Sequence, residues 1–200
     1  MGTLSSNLKI GLLRARLKKP ISNKRILEAV ETAQESGITS LKMYFILGLP
    51  GETDGDLEAI GQLLRDTREI MLRHGRARGR MGTLHAGCSV LVPKPYTPYS
   101  KAPVLTKYEY SRRLALLEKQ LRPIDNLKFD RPSYREALWQ ASPSRGDPTT
   151  VELLDELATH GSLGRLLTEH KSTVVRQAFE PVEGEPTWRF ISSAPTPKSI

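Results

Sequence analysis

Cysteine is nearly absent from this sequence, since Cys88 is the only one among 200 residues. A single thiol cannot build an intramolecular disulfide framework, and it cannot supply every ligand of a cysteine-only metal or cluster site. Long apolar runs are also missing, so no stretch approaches the roughly 20 apolar residues that cross a bilayer. The N-terminus lacks the apolar core of a signal peptide. These absences predict a protein of a reducing, cytoplasmic compartment with no membrane partner.

The composition that remains is ordinary for a globular protein, with 38% hydrophobic and 26% charged residues. A chain of this length fits one domain, or one domain with a tail, and it is long enough to bury a sizeable core. The net charge of +8 and the isoelectric point near 9.7 favour a polyanionic partner such as RNA.

Part of the positive charge is concentrated in a run of arginines interleaved with Gly75 and Gly79. A flexible basic loop between two elements is the simpler interpretation, and a phosphate-binding loop is the alternative. No aromatic residue lies within the run to stack on bases. An RNA- or tRNA-binding module would use this run together with basic residues near the N-terminus. The candidate residues are Arg73, Arg76, Arg78 and Arg80, joined by Arg14, Arg16, Lys18 and Lys19.

Hydrophobic periodicity predicts that helices and strands alternate along the chain. Helices between successive strands force those strands to run parallel, with right-handed crossovers. In parallel sheets and barrels, ligands bind at the carboxyl ends of the strands. The predicted elements are a short basic helix ended by Pro20, a helix over 22–36, a strand over 41–47, a helix from about 54 to 74 ended by Gly75, a strand over roughly 83–92, a helix after a Thr106–Glu109 capping box, a short strand over 127–130, and helices that begin at Ser133 and Asp147.

The first strand ends in a glycine-rich elbow, Gly48-Leu49-Pro50-Gly51-Glu52-Thr53. Glycine at a strand end lets a ligand or another backbone approach closely, and the N-terminus of the following helix offers free N–H groups to an anion. A plain strand-to-helix turn explains the same residues equally well. The elbow is not a P-loop, because no Gly-Lys-Ser/Thr follows.

The second strand leads into a stiff loop, which has three prolines between Pro93 and Tyr99. On the rim of a barrel this loop would hold Lys94, Tyr96 and Tyr99 against a substrate, and we favour this interpretation over a loop that only wraps the edge of the domain.

Cys88 is predicted to be a small core residue rather than a nucleophile. A nucleophile would need a basic neighbour, and His85 lies three positions away along a strand, on the opposite face. The four histidines show no metal-ligand spacing. The sequence therefore indicates no catalytic residue and no metal ligand.

The stretch "YFILGLPGET" resembles the fifth-strand segment of radical S-adenosylmethionine (radical SAM) enzymes, particularly those with an N-terminal cobalamin-binding domain. "LKKPISNKRILEAVETAQESGI" resembles the preceding helix, and "SVLVPKPYTPYS" resembles the sixth strand and its exit loop. "EALWQASPSRGD" and "TWRFISSAPTPK" resemble a C-terminal extension in one branch of that family. The resemblance implies an α/β fold, a partial (β/α) barrel fragment with parallel strands followed by a mostly helical extension. Its expected divisions are residues 1–104 for the barrel part, 105–180 for the helical extension and 181–200 for an irregular proline-rich tail.

In that family a [4Fe–4S] cluster and SAM lie at the carboxyl ends of the strands, and reduction of the cluster cleaves SAM to a radical. By resemblance, Ile46 and Gly48 would lie against the adenine, and backbone groups near Val92 and Pro93 would complete its pocket. Cobalamin is a further candidate cofactor.

The sequence departs from the family in its cluster ligands, because the Cys-x3-Cys-x2-Cys motif is absent and Cys88 cannot replace three thiolates. The segments that would form the first four strands are absent as well. We therefore expect a C-terminal portion that is inactive alone and needs the other part of the barrel, as a partner subunit or segment. The alternatives are the RNA-binding module and a non-catalytic remnant.

Overall fold

A computed structural model describes residue 14 and residues 20–95, 97–145 and 149–179. These residues form two compact units. The first comprises the described residues up to Val90 together with Leu105–Pro132, and the second comprises Leu91–Val104 and the described residues from Ser133 onwards. The helix predicted before Pro20, the Asp147 cap, Tyr96 and the tail over 181–200 lie outside the described residues, apart from Arg14.

The first unit alternates helices and strands as the periodicity predicts. Its elements are α1 (Asn23–Glu35), β1 (Ser40–Leu47), α2 (Asp54–Ala77), β2 (Thr83–Val90), α3 (Lys107–Leu121) and β3 (Leu127–Asp130). The three strands form one parallel sheet in the order β1-β2-β3. The predicted α/β fold with parallel strands is therefore confirmed.

The direction of winding places α2 and α3 on one face of the sheet. Each crossover moves one strand further in the same direction, and crossovers of one hand then put their helices on one side. The hydrophobic core lies on that side, where Leu64 and Met71 of α2 and Leu117 of α3 pack on the strands. The side chains that the strands send into this core are Leu41, Met43, Phe45, Leu84, Ala86, Cys88, Leu127 and Phe129.

The helix starts predicted from capping residues are present. The Asp56 carboxylate accepts hydrogen bonds from the backbone N–H and the hydroxyl of Thr53, both at 2.7 Å, which closes the capping box of α2. The Glu109 N–H donates to the Thr106 hydroxyl at the start of α3, and the Ser133 hydroxyl plays the same part at 3.2 Å from the Glu136 nitrogen.

Two predicted helix ends are wrong. Helix α2 continues through Gly75 to Ala77, because Gly75 is buried there and a Cβ at that position would meet the Met81 sulfur at 2.8 Å. Its glycine serves close packing and not helix termination. The helix after Ser133, which the sequence predicts to run through Trp139, spans Tyr134–Arg145 with Pro143 inside it. Ala141 and Ser142 are fully buried there, and this packing outweighs one lost backbone hydrogen bond.

The second unit is helical and has its own core. Its elements are α4 (Tyr134–Arg145), α5 (Thr149–His160), α6 (Leu163–Glu169) and α7 (Lys171–Phe179). One apolar cluster joins Val104, Ala141 and Ala178, and a second joins Leu153, Leu166 and Val174. The mostly helical C-terminal part is thus confirmed. Residues 105–132, which the sequence-based division gave to this extension, instead belong to the first unit because α3 packs on the sheet and β3 pairs with β2.

Candidate functional site

The glycine elbow after β1 is closed by the side chain of Glu52. Its Oε2 accepts a hydrogen bond from the Gly48 N–H at 2.9 Å, and the Glu52 N–H donates to the Leu49 carbonyl at 2.9 Å. Gly48 and Gly51 have φ angles of +92° and +83°, which glycine adopts without the steric penalty of a Cβ. The elbow sequence therefore forms a tight turn whose backbone binds the carboxylate of Glu52, a residue of the turn itself.

Glu52 also connects this turn to α3. Its carboxylate lies 2.6 Å from Nη1 of Arg113, and its side chain is 3% exposed. Burial raises the pKa of the Glu52 carboxyl, although the Gly48 N–H and Arg113 both oppose this effect. On the outer side of the same guanidinium, Glu109 accepts from Arg113 Nε at 3.2 Å. The carboxyl end of β1 is thus fixed to α3 by one buried ion pair.

The space beside Gly48 is occupied by Leu105. A Cβ built on Gly48 would lie 2.7 Å from both Cγ and Cδ1 of Leu105. The Gly48 N–H is already bonded to Glu52, so this residue offers a ligand neither a free donor nor open space on its Cβ side. The plain-turn interpretation accounts for the glycine, and the expected contact with adenine finds no support at this position.

The residues predicted for the other side of the pocket lie in the second unit. Val92 packs against the cluster of Val104, Ala141 and Ala178, and Pro93 is buried. Lys94 is exposed, and its carbonyl accepts a hydrogen bond from the Thr97 hydroxyl at 2.7 Å. The Tyr99 hydroxyl is buried and has no hydrogen-bond partner among the described residues. Ile46 and Gly48 belong to the first unit.

The arginine run is not a flexible loop in its first half. Arg73 and Arg76 lie within α2, and Arg78 caps that helix. Three of the four arginines contact α1 or the residues after it. Arg73 pairs with Glu31, and Arg78 donates to the carbonyl and side-chain oxygens of Gln34 at 2.7 Å. Arg80 donates to the Thr39 hydroxyl at 3.4 Å. This run stabilises the packing of α1 on α2, and whether it also binds RNA stays a prediction.

The face of the sheet opposite the core carries polar side chains. Its members follow from the register, which sets Lys42, His85 and Lys128 in one row across the three strands. The next row holds Tyr44, Gly87 and Asp130, and the last holds Ile46 and Ser89. Tyr44 is 75% exposed. Parallel sheets are normally covered on both faces. This exposed polar face is therefore a candidate binding surface, in addition to the elbow.

The side chains on this face contact one another across the central strand. Lys42 Nζ lies 2.7 Å from Asp130 Oδ2, and the pKa of Asp130 is lowered by Lys42 first and by His85 to a lesser degree. The Tyr44 ring lies against Gly87, where a Cβ would meet its Cδ1 at 2.9 Å. Lys42 Nζ is 5.1 Å from the centroid of that ring. A flat aromatic ring and a row of basic groups therefore lie side by side.

Cys88 occupies the opposite, core-facing side of β2, as predicted. Burial raises the pKa of its thiol to about 12, with a further contribution from the charge of Glu52. A thiol in this state is a poor nucleophile and a poor metal ligand. It cannot hold an iron–sulfur cluster on this chain.

The structure also groups three potential metal ligands that the histidine spacing did not indicate. Oxygen or nitrogen atoms of Glu156, Glu169 and His170 lie within 4.8 Å of one another. Glu156 comes from α5 and the other two from the end of α6, so their proximity depends on helix packing. Each already has a partner, His170 with Glu156 at 2.7 Å and Glu169 with Arg165 at 2.8 Å, and these ion pairs account for the group.

Comparison with curated proteins finds a distant relative. The chain is 23% identical over 145 residues to an uncharacterised protein of the archaeon Methanocaldococcus jannaschii, and the alignment covers 72% of this chain and 29% of the relative. The chain thus spans less than a third of the length of the curated relative it matches. No family model matches the sequence, and no solved structure matches it. Among the described helices, none has the length and apolar character needed to cross a membrane.

Replacing Gly48 with alanine should lower the free energy of unfolding by about 2–3 kcal/mol, because the new Cβ combines strain at positive φ with a clash against Leu105. Gly37 is the matched control, since its φ is +83° and nothing lies within 4 Å of its Cβ position. Gly37→Ala should cost only the backbone strain, about 1 kcal/mol. Urea denaturation measures both values, and equal losses would contradict the packing role of Gly48.

Replacing Glu52 with alanine should cost about 2–3 kcal/mol, because the buried Gly48 N–H loses its acceptor and Nη1 of Arg113 loses its carboxylate partner. Glu52→Gln should stay within about 1 kcal/mol of the wild type at neutral pH, since an amide oxygen still accepts a hydrogen bond, no carboxylate is desolvated, and Arg113 keeps its ion pair with Glu109. Urea denaturation at pH 7 checks this order. A glutamine variant as unstable as the alanine variant would show that the negative charge itself is required.

The pH dependence of stability should distinguish Glu52 from Glu109. The raised pKa of Glu52 means that its contribution is fully present below the ordinary value of 4.5 and is lost as the pH rises through the folded-state pKa. The wild type should therefore lose stability relative to Glu52→Gln as the pH rises from about 4.5 towards 7. The pKa of Glu109 is lowered by Arg113 and Arg112, so its contribution is present above the ordinary value of 4.5 and is lost as the pH falls below it. The wild type should therefore lose stability relative to Glu109→Gln as the pH falls below 4.5.

Proposed function

We propose that this chain is the C-terminal part of a radical SAM enzyme of the barrel type, and that its exposed sheet face is the inner face of that barrel. The chain supplies the last strands and the loops on the substrate side. The [4Fe–4S] cluster is supplied by another polypeptide or segment. The chain alone catalyses no reaction, and its setting is the reducing cytoplasm that a single buried thiol favours.

The one-way winding of the sheet is the observation that supports this proposal most directly. In a doubly wound α/β fold the strand order reverses, and helices cover both faces of the sheet. Here the order β1-β2-β3 never reverses, and both crossover helices pack on the same face. A barrel has this arrangement, with helices outside and strand side chains inside. The three strands of the described residues are too few to close such a barrel.

Among the described residues no strand pairs with the outer edge of β1, and this edge favours a partner that continues the sheet. β1 pairs with β2 on one side and lies at the end of the strand order. A free edge presents unpaired backbone N–H and C=O groups to an incoming strand. The relative from Methanocaldococcus jannaschii has more than two thirds of its length outside the alignment, which leaves ample chain for further strands in a protein of that size.

The residues present do not fit an iron–sulfur cluster, because the one thiol faces the core and has a pKa of about 12. For SAM, Gly48 gives no open contact, whereas Ile46 lies on the exposed face in the row nearest the elbow. We therefore propose that this chain forms one wall of the site and supplies no ligand to the cluster. In the complete enzyme the cluster and SAM would supply radical chemistry, and this chain would position the substrate.

Reconstitution with a second polypeptide tests the proposal. The partner to use is a polypeptide that carries Cys-x3-Cys-x2-Cys, and it is to be sought by sequencing the DNA next to the coding region of this chain. Mixed with it anaerobically in the presence of iron and sulfide, the chain should join a complex that holds a cluster and binds SAM. Hydrogen exchange of the β1 backbone should slow in the complex, because its edge becomes paired. Helices α4–α7 serve as the internal control and should keep their exchange rates.

Two results would count against this function. One is assembly of a [4Fe–4S] cluster on the isolated chain, measured by absorbance and iron content with Cys88→Ala as the control. The other is a complex in which exchange at β1 is unchanged, because the partner would then not extend the sheet.

A further inference from the structure

The row of Lys42, His85 and Lys128 places three basic side chains directly opposite one another on adjacent strands. Neighbouring strands lie about 4.8 Å apart, so the three side chains are close enough to contact one bound group. Asp130 pairs with Lys42. Lys128 is exposed and has no ion pair among the described residues, and neither does His85, which is half-buried. Asp130, from the adjoining row, therefore balances Lys42 and leaves the charge of Lys128 without a partner among the described residues, so an anionic group bound there would complete the pairing.

The adjoining row provides a surface of different chemistry. Gly87 has no side chain, and the Tyr44 ring occupies the space above it, in contact with the backbone of the central strand. The tyrosine stays 75% exposed in this position, so the ring is available for stacking. A nucleobase stacks on such a ring regardless of its identity, because every base has a π-face.

We propose that this face binds a nucleotide, with the base stacked on Tyr44 and the phosphate bound by Lys128, His85 and Lys42. The distance between adjacent rows of one face is two residues along a strand, about 6.6 Å, which is the reach from a base to its own 5′-phosphate. Asp130 holds Lys42 in place through the 2.7 Å ion pair. This proposal rests on the proposed function only in treating the exposed face as an inner, ligand-facing wall, and it requires neither the cluster nor the partner.

Titration of the isolated isotope-labelled chain, followed by NMR, tests the site with three probes: adenosine 5′-monophosphate, adenosine and inorganic phosphate. The monophosphate should bind most tightly, and its shift changes should map to β1, β2 and β3. Tyr44→Ala should weaken the monophosphate about tenfold and leave phosphate binding unchanged. Lys128→Ala should weaken both the monophosphate and phosphate by about three- to tenfold and leave adenosine unchanged.

Lys119→Ala is the matched control, since Lys119 is an exposed lysine on α3, which packs on the other face of the sheet. It should leave all three affinities unchanged. Loss of binding in Lys119→Ala, or equal affinities of the monophosphate for the wild type and Tyr44→Ala, would overturn the proposal. So would binding of S-adenosylmethionine at β1–β3 without binding of the monophosphate, because phosphate recognition is the basis of the assignment. None of these results depends on reconstitution with a partner, so failure here is separable from failure of the proposed function.

Discussion

The constraint on which this structure depends is the single direction in which its strands are added. Because β2 and β3 follow β1 in spatial order, right-handed crossovers carry α2 and α3 to the same side. Leu64, Met71 and Leu117 can then share one core with the odd-numbered residues of β1. The other face is left to polar residues, and both the proposed barrel and the proposed nucleotide site follow from that asymmetry.

The buried carboxylate of Glu52 fixes the carboxyl end of β1 relative to this core. It bonds the turn that follows the strand and the guanidinium of Arg113 on α3. Burying a charge is costly unless it is paired and hydrogen-bonded, and here one carboxylate oxygen serves both the Gly48 N–H and Arg113. The raised pKa of this group indicates that desolvation is only partly offset. The elbow accordingly has a structural role, because it fixes the end of β1 to α3. The proposed ligand-binding surface is the polar face of the sheet beside it.

The sequence was sufficient to predict the alternation of elements, the parallel strands and the helix starts, because these depend on local periodicity and capping residues. It also predicted the opposite faces of His85 and Cys88 from the two-residue period of a strand. The row of Lys42, His85 and Lys128 was beyond it, since those residues are 43 positions apart at each step and only the register brings them together. The roles of Glu52 and Gly75 were missed for a related reason: both depend on tertiary neighbours, Arg113 for the first and Met81 for the second.

The glycine at the centre of β2 has a consequence for the alignment of the strands. Because position 87 has no Cβ, the Tyr44 ring lies directly on the central strand, and beside it the side chain of Lys42 crosses that strand to meet Asp130 on the far one. Two strands that share no backbone hydrogen bond are thereby linked directly. A slip of β1 by one residue would turn Lys42 into the apolar core and break this link. The ion pair therefore favours the native register over that slipped one.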